Sequence, residues 1–377
     1  MKTLNIGMIG FGFMGRTHTY AHRTMPFYFD PPPVRSVLKV VCTSNQTTAR
    51  AAQTVGGFER WTTDPHAVIA DPDIDLIHIC TPNHQHLPVL LAAMRAQKHI
   101  YVEKPVVASA QEALQLAAAL PDYRGRAQVV LQYRFLPATI KAQELIARGF
   151  CGPIMHFRAA YLHSGSVDPA KAVNWKSTAA AGGGVIRDLG PHILDLMMKL
   201  AGPFDRGCCV SRIWSPRRPS LERPGTMIDI DVEDAALMVL RRDDGTFGTV
   251  EVSKIATGTE DELRFEIHGR HGALRFNLMQ PNYLEMFDGR LRDGDHGWQQ
   301  VATVGRFAPP GGRFPSPKNT VGWLRAHVQC LYSLLKCIAD DSPASPSLAE
   351  GIALQHVIEA MIESARSGQW VDLRFQI

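Results

Sequence analysis

The residues best suited to proton chemistry stand in two short segments. Lys104 ends the apolar run His99-Ile100-Tyr101-Val102 and is flanked by Glu103 and Pro105. A lysine at a strand end can stabilise alkoxide character on a reacting oxygen. Partly desolvated, with a lowered pKa, it can also move the proton itself. The second segment is Gly182-Gly183-Gly184-Val185-Ile186-Arg187-Asp188-Leu189-Gly190-Pro191-His192-Ile193-Leu194-Asp195. Histidine, with an intrinsic pKa near ~6.5, suits a base at neutral pH. Asp188 stands four residues before His192, so a shared first helical turn puts both on one face. Pro191 is compatible with that turn, because early helix N–H groups lack intrahelical partners anyway. Two assignments stay open: His192 as base with Lys104 as the electrostatic group, or Lys104 as proton carrier. Asp188 as a helix cap and His192 as a core histidine are the structural alternatives.

Beside these proton-handling groups, the N-terminus offers a place for a dinucleotide. Gly10-Phe11-Gly12-Phe13-Met14-Gly15 follows a strand pattern, Leu4–Ile9, and precedes a helix. Gly10 allows the tight turn, Gly12 a close approach to pyrophosphate, and Gly15 helix–strand packing. The second strand ends at Cys42-Thr43-Ser44-Asn45, with no carboxylate to select NAD. Arg50 is near enough in sequence to meet a 2′-phosphate, so NAD and NADP both remain open. Another strand runs into Thr81-Pro82-Asn83-His84-Gln85-His86, at the strand end where such sheets bind ligands. No Asp, Glu or Cys set accompanies His84 and His86, so a metal site is not expected.

The elements that must position these groups follow two periods. Strand-like runs at Leu4–Ile9, Leu38–Cys42, Leu76–Cys80, Ile100–Val102 and Gln128–Leu131 alternate with helical patterns, the mark of parallel β/α units. Ser109, with Glu112 three residues on, has the form of a capping box. Met25–Arg35, with four prolines, reads as an insertion loop. Beyond Pro153 the pattern changes to short strands separated by turns such as Asp243-Asp244-Gly245, the texture of an antiparallel sheet with one covered face. Helices are expected at Asp188–Leu200, Val321–Ala339 and Leu348–Ser367. Polar loops at 163–182 and 308–318 are candidates to cover the cleft. Trp323 and His327, four apart, read as core.

Composition narrows the functional classes. With 377 residues the chain has room for two domains. A net charge of +4, without a Lys/Arg block, gives little support to a nucleic-acid or membrane-surface role. Seven cysteines without a Cys-x-x-Cys pair suggest free thiols in a reducing, cytoplasmic setting. No apolar run approaches the ~18 residues of a membrane span.

Gly10-x-Gly12-x-x-Gly15, Thr81-Pro82-Asn83-x-x-His86, Glu103-Lys104-Pro105 and Asp188-x-Gly190-x-His192-x-x-Asp195 together resemble the Gfo/Idh/MocA oxidoreductases. Tyr161–Pro169 and Asn174-Trp175-Lys176 are most similar to the subgroup of glucoside 3-dehydrogenases and levoglucosan dehydrogenases. The resemblance implies an α/β fold: a Rossmann domain (residues 1–133), then an α/β domain (134–377) on a large, open, mostly antiparallel sheet. It implies a cis Lys104–Pro105 peptide, NAD or NADP with NAD favoured, and homodimers or tetramers formed through the sheets. It implies that Lys104, Asp188 and His192 are catalytic. Gly10, Phe11, Gly12, Phe13, Met14, Gly15, Thr43, Ser44, Thr81, Pro82, Asn83, His86, Glu103, Lys104, Gln132, Trp175 and Lys176 become the expected cofactor contacts. Arg134, Tyr161 and His163 join Lys104, Asp188 and His192 as candidate substrate contacts, and Asp195 is either a hydroxyl contact or structural. Two positions depart from the family pattern: Gln132-Tyr133 where Asn is frequent, and Lys176 where Arg is frequent. The implied activity is oxidation of a ring hydroxyl, at C3 by preference, of a glucoside or related sugar. An inositol dehydrogenase, an NAD-dependent glycosidase acting through transient oxidation, and a non-catalytic nucleotide or sugar sensor are the alternatives.

Overall fold

The computed structural model describes residues 1–377 except 222, 293, 306, 309, 376 and 377. The N-terminal part alternates strand and helix: β1 (Thr3–Ile9), α1 (Phe13–Tyr28), β2 (Arg35–Cys42), α2 (Gln46–Gly56), β3 (Arg60–Thr62), α3 (Pro65–Ala70), β4 (Leu76–Ile79), α4 (His86–Arg95), β5 (His99–Val102), α5 (Ala110–Ala119) and β6 (Ala127–Val129). The six strands form one parallel sheet in the order β3-β2-β1-β4-β5-β6. This order reverses direction between β1 and β4. The strand ends there open a crevice where ligands bind. The ends of β1, β4 and β5 carry Gly10, Thr81 and Lys104, which brings the expected motifs side by side.

Two local expectations need correction. Met25–Arg35 is not wholly a loop: α1 continues through Pro26 to Tyr28. A proline so near a helix end disturbs little of the remaining ladder. The helix then stops at buried Phe29, whose ring stacks on Tyr332 at 3.7 Å. Ser109 does cap α5, accepting from the Glu112 amide at 3.3 Å, but the Glu112 carboxylate accepts from Ala108 N–H at 2.7 Å, one residue earlier than a capping box requires.

The remaining chain comprises α6 (Pro137–Ala147), β7 (Ile154–Leu162), α7 (Val185–Asp188), α8 (Gly190–Ala201), β8 (Arg206–Arg212), β9 (Arg217–Pro219), β10 (Met227–Asp229), β11 (Ala235–Arg241), β12 (Phe247–Ser253), β13 (Glu262–Gly269), β14 (Gly272–Asn277), β15 (Tyr283–Asp288), β16 (Gln299–Ala302), α9 (Trp323–Asp340), α10 (Leu348–Ser367) and β17 (Val371–Asp372). Nine strands form a second sheet in the order β16-β15-β14-β13-β7-β12-β11-β8-β17. It is antiparallel except where β7 pairs in parallel with β12. The alternation of buried and open positions along β11 shows that one face carries the core. Helices α6, α8 and α10 pack on that face. Helix α9 returns to the first sheet instead: Val328, Leu331 and Leu335 share a core with Leu4, Ile6 and Tyr101. No helix among the described residues is long and apolar enough to cross a membrane.

Candidate active site

A cavity of about 1130 Å3 lies between the two sheets, bounded by the glycine-rich turn, the β4 and β5 ends, the 163–176 loop, and α8 and α9. Its nucleotide end is built from backbone. Gly10 has φ +93°, and a Cβ there would lie 2.5 Å from the Cys80 carbonyl oxygen. A Cβ on Gly15 would lie 2.3 Å from the Gly10 carbonyl oxygen. Both glycines are therefore required by the fold. Gly12 differs: it lines the cavity, and a Cβ there would meet no protein atom within 4 Å. Space has been left above the first turn of α1, which has no side-chain cap, and free N–H groups there suit an anion.

Phe11, Phe13, Met14, Thr43, Ser44, Thr81, Pro82, Asn83, Glu103, Gln132, Trp175 and Lys176 also line the cavity. Thr43 and Thr48 hydroxyls lie 2.7 Å apart where a carboxylate would read the ribose. Arg50 points elsewhere, its guanidinium 5.1 Å from the Trp61 ring. His86 is not a lining residue. It is buried, and its ring nitrogens each lie 3.0 Å from a carbonyl oxygen, Thr81 O and Pro105 O. It thus ties together the two loops that do line the cavity. His84, by contrast, is exposed.

The chemical end is organised around Asp188. Lys104 Nζ donates to its backbone oxygen at 2.5 Å and to its Oδ1 at 3.1 Å. Lys176 lies 3.1 Å from Oδ1, and Lys254 lies 2.9 Å from Oδ2. Burial opposes the charge on Asp188, but Lys254, Lys104 and Lys176 outweigh it and hold the carboxyl well below its ordinary range. Burial lowers the Lys104 pKa, with Asp188 opposing. The Lys104–Pro105 peptide is cis.

Asp188 and His192 do not share a helix. Asp188 ends α7, and His192 lies in the first turn of α8, after Pro191. The Asp188 N–H donates to Gly184 O at 3.0 Å, so Asp188 is not an N-cap. Triple glycine 182–184 allows this arrangement, since Gly184 takes φ +107° and starts α7 a turn before the expected point. His192 still lines the cavity. Burial, then the Lys104 charge, lowers its pKa well below 6.5, and its Nδ1 is buried without a hydrogen-bond partner. A neutral imidazole beside a lysine–carboxylate pair can accept a hydroxyl proton.

A polar network faces this group. Asp261 Oδ1 accepts from Tyr161 at 2.6 Å and lies 2.9 Å from His163 Nε2. Tyr133 and Tyr161 hydroxyls are 2.9 Å apart, and Trp323 Nε1 donates to Tyr133 at 3.2 Å. All five residues line the cavity. Tyr161 and His163 therefore take expected positions. Asp261 and Trp323 were not expected there: Asp261 stands in a bare polar turn, and Trp323 has the spacing of a core residue. Lys254 was missed for the same reason, as one lysine after a strand.

Arg134 is a correction. It lies 9% exposed in an ion pair with Asp195, donating from Nε to Oδ2 at 2.7 Å, and bonds Glu350 at 2.7 Å. It does not line the cavity, and Asp195 is structural with it. The segment 308–318 lies away from the cavity among the described residues, which omit Pro309, and packs near Phe29 and Tyr28.

Known proteins match this chain along most of its length. The family description "Oxidoreductase family, NAD-binding Rossmann fold" matches residues 4–131, and "GFO/IDH/MocA C-terminal domain" matches 139–275. A levoglucosan dehydrogenase of Pseudarthrobacter phenanthrenivorans is 33% identical, over 99% of both chains. The scyllo-inositol 2-dehydrogenase (NAD(+)) of Bacillus subtilis is 27% identical over 67% of this chain and 70% of its own. A solved levoglucosan dehydrogenase in complex with NADH and levoglucosan superposes with TM-score 0.94 at 33% identity, over 99% of this chain and 100% of that one.

Proposed function

The chain belongs to the Gfo/Idh/MocA family of oxidoreductases with an NAD-binding Rossmann fold, and from that premise we propose that it oxidises a ring hydroxyl of a glucoside or anhydrosugar to the keto-sugar. The observation that carries this reading is that His192, Lys104 and Asp188 line one cavity with the glycine-rich turn. Bound NAD⁺ supplies the hydride acceptor. Gly10–Gly15, Thr43, Ser44, Thr81–Asn83, Glu103 and Gln132 would hold it.

The protein's own work is proton handling and positioning. His192 accepts the hydroxyl proton. Lys104, fixed by both oxygens of Asp188 that it reaches, donates to the reacting oxygen as alkoxide charge builds. Lys254, Lys104 and Lys176 hold the Asp188 pKa low, so the carboxylate is a weak base and serves to orient Lys104. Asp261, Tyr161, His163 and Tyr133 offer donors and acceptors for the other hydroxyls, and Trp175 and Trp323 offer apolar faces for the ring. The choice of C3 rests on the resemblance of Tyr161–Pro169 and Asn174–Lys176 to the glucoside 3-dehydrogenase subgroup.

We assign residues 1–133 to nucleotide binding and 134–377 to substrate binding and self-association. Val210, Leu237 and Phe247, exposed together on the open face of the second sheet, support a homo-oligomer through that face. To test the reacting carbon, the product of a methyl glucoside is reduced with borodeuteride and the label located by NMR. Deuterium at C3 supports the assignment. Deuterium at C2 or C4, or release of methanol, contradicts it.

A further inference from the structure

Behind the glycine-rich turn lies a line of buried histidines that the proposed chemistry does not use. His18 Nε2 lies 2.9 Å from Glu103 Oε1. His18 Nδ1 lies 3.1 Å from His78 Nδ1, and His78 Nε2 lies 2.9 Å from His22 Nε2. His22 Nδ1 lies 2.9 Å from Ser36 Oγ. The three rings are 1%, 0% and 4% exposed for His18, His78 and His22, and every ring nitrogen has a partner. Glu103 is the inner end of the line, and it lines the cavity.

The proton inventory gives this line a direction. An ionised carboxylate only accepts, so His18 Nε2 carries hydrogen. Burial lowers the pKa of His78 and His22; with the His18 hydrogen on Nε2, its Nδ1 accepts from His78 Nδ1–H. His78 Nε2 is then bare and accepts from His22 Nε2–H, and His22 Nδ1 accepts from the Ser36 hydroxyl. Cys80 Sγ also lies 3.1 Å from His18 Nδ1. Every donor points one way, and each bond strengthens the next. The His22 pKa, lowered to about 3 by burial and then by His18, agrees with a neutral ring.

We propose that His18, His78 and His22 form a positioning array for Glu103. It engages Oε1 permanently and leaves Oε2, which has no protein hydrogen-bond partner among the described residues, to accept from a hydroxyl of the bound dinucleotide or of the sugar. This inference rests on the dehydrogenase reading for its sugar arm only. His18 is a positioning residue, acting through Glu103. It does not touch the reacting atoms.

The test compares His18→Leu with His18→Gln, whose amide can donate to Glu103 as the imidazole does. NADH dissociation is measured by fluorescence, and the sugar KM and kcat by turnover. The expected result is a rise of about tenfold, for loss of a hydrogen bond to a charged group, in either the NADH constant or the sugar KM, with most of it restored in His18→Gln. A change in the NADH constant identifies a dinucleotide hydroxyl, and a change in sugar KM a sugar hydroxyl. Both constants within twofold of wild type, or a glutamine variant no better than the leucine one, would overturn the array. If His18→Leu does not fold, His22→Leu, which does not touch Glu103, is expected to move the same constant less, and no movement overturns the proposal. If wild type oxidises no sugar, the dehydrogenase reading fails on its own. NADH titration then still decides the array, and an unchanged constant rejects it.

Discussion

Lys104 and Asp188 meet twice, at the backbone oxygen (2.5 Å) and at Oδ1 (3.1 Å), although 84 residues separate them in the chain. The first lies at the end of β5, the second at the end of α7. Their contact joins the N-terminal parallel sheet to α7 across the cavity. In the proposed mechanism it also fixes the direction of the Lys104 ammonium. Lys104→Met and Asp188→Asn are therefore expected to lower kcat/KM by about a hundredfold or more. NADH binding should stay within a few-fold. Steady-state kinetics with a fluorescence titration checks this, and a loss confined to NADH affinity would contradict it.

The glycines of the turn separate by their surroundings. Gly12→Ala places its methyl where no protein atom lies within 4 Å, so thermal stability should be unchanged while NADH binding weakens. Gly10→Ala forces a Cβ to 2.5 Å from the Cys80 carbonyl at φ +93° and should lower Tm. Melting curves with and without NADH distinguish the two.

Arg134, paired with Asp195 and Glu350, is expected to carry stability and not substrate recognition. Arg134→Met leaves Asp195 buried and unpaired, a loss of about 3–5 kcal/mol. Denaturant unfolding measures it. An unchanged midpoint with a raised sugar KM would return Arg134 to the substrate site.

Acid should destabilise the fold through its buried histidines. Burial holds His78, His192 and His327 well below 6.5, and burial with His18 lowers His22 to about 3. Below about 6.5 the unfolded chain takes up protons that the native rings refuse, so stability rises with pH there and falls as pH drops. Each such ring contributes up to about 1.4 kcal/mol per pH unit. Melting temperatures measured from about pH 7 to pH 5 should fall steadily, and a flat series would contradict neutral buried rings.

The N-terminal half was legible because its signals are local. A strand running into Gly10-x-Gly12-x-x-Gly15 and strand ends at Thr81 and Lys104 need only the parallel sheet order to converge. Helix α10 matched its expected span, Leu348–Ser367, with the full capping box of Ser347 and Glu350. The end of the cavity around Asp188 and Asp261 was less legible, because its members come from distant elements. Nothing around Asp261 or Lys254 announces that one binds two tyrosines and a histidine, and the other the Asp188 carboxylate. Arg134 misled for the opposite reason: adjacent to cavity-lining Gln132 and Tyr133, it turns inward to Asp195. Trp323 has core spacing on α9, yet it reaches the cavity because α9 returns to the first sheet.

In the proposed reaction the protein dehydrogenates a sugar hydroxyl with free NAD⁺. The most direct measurement is NADH formation, followed by its near-ultraviolet absorbance, with purified protein, NAD⁺ or NADP⁺ and a panel of glucosides, anhydrosugars, free sugars and inositols. The expected result is a rise with NAD⁺ and a glucoside or anhydrosugar, abolished in His192→Asn. No rise with any sugar, or an equal rise in His192→Asn, would contradict it.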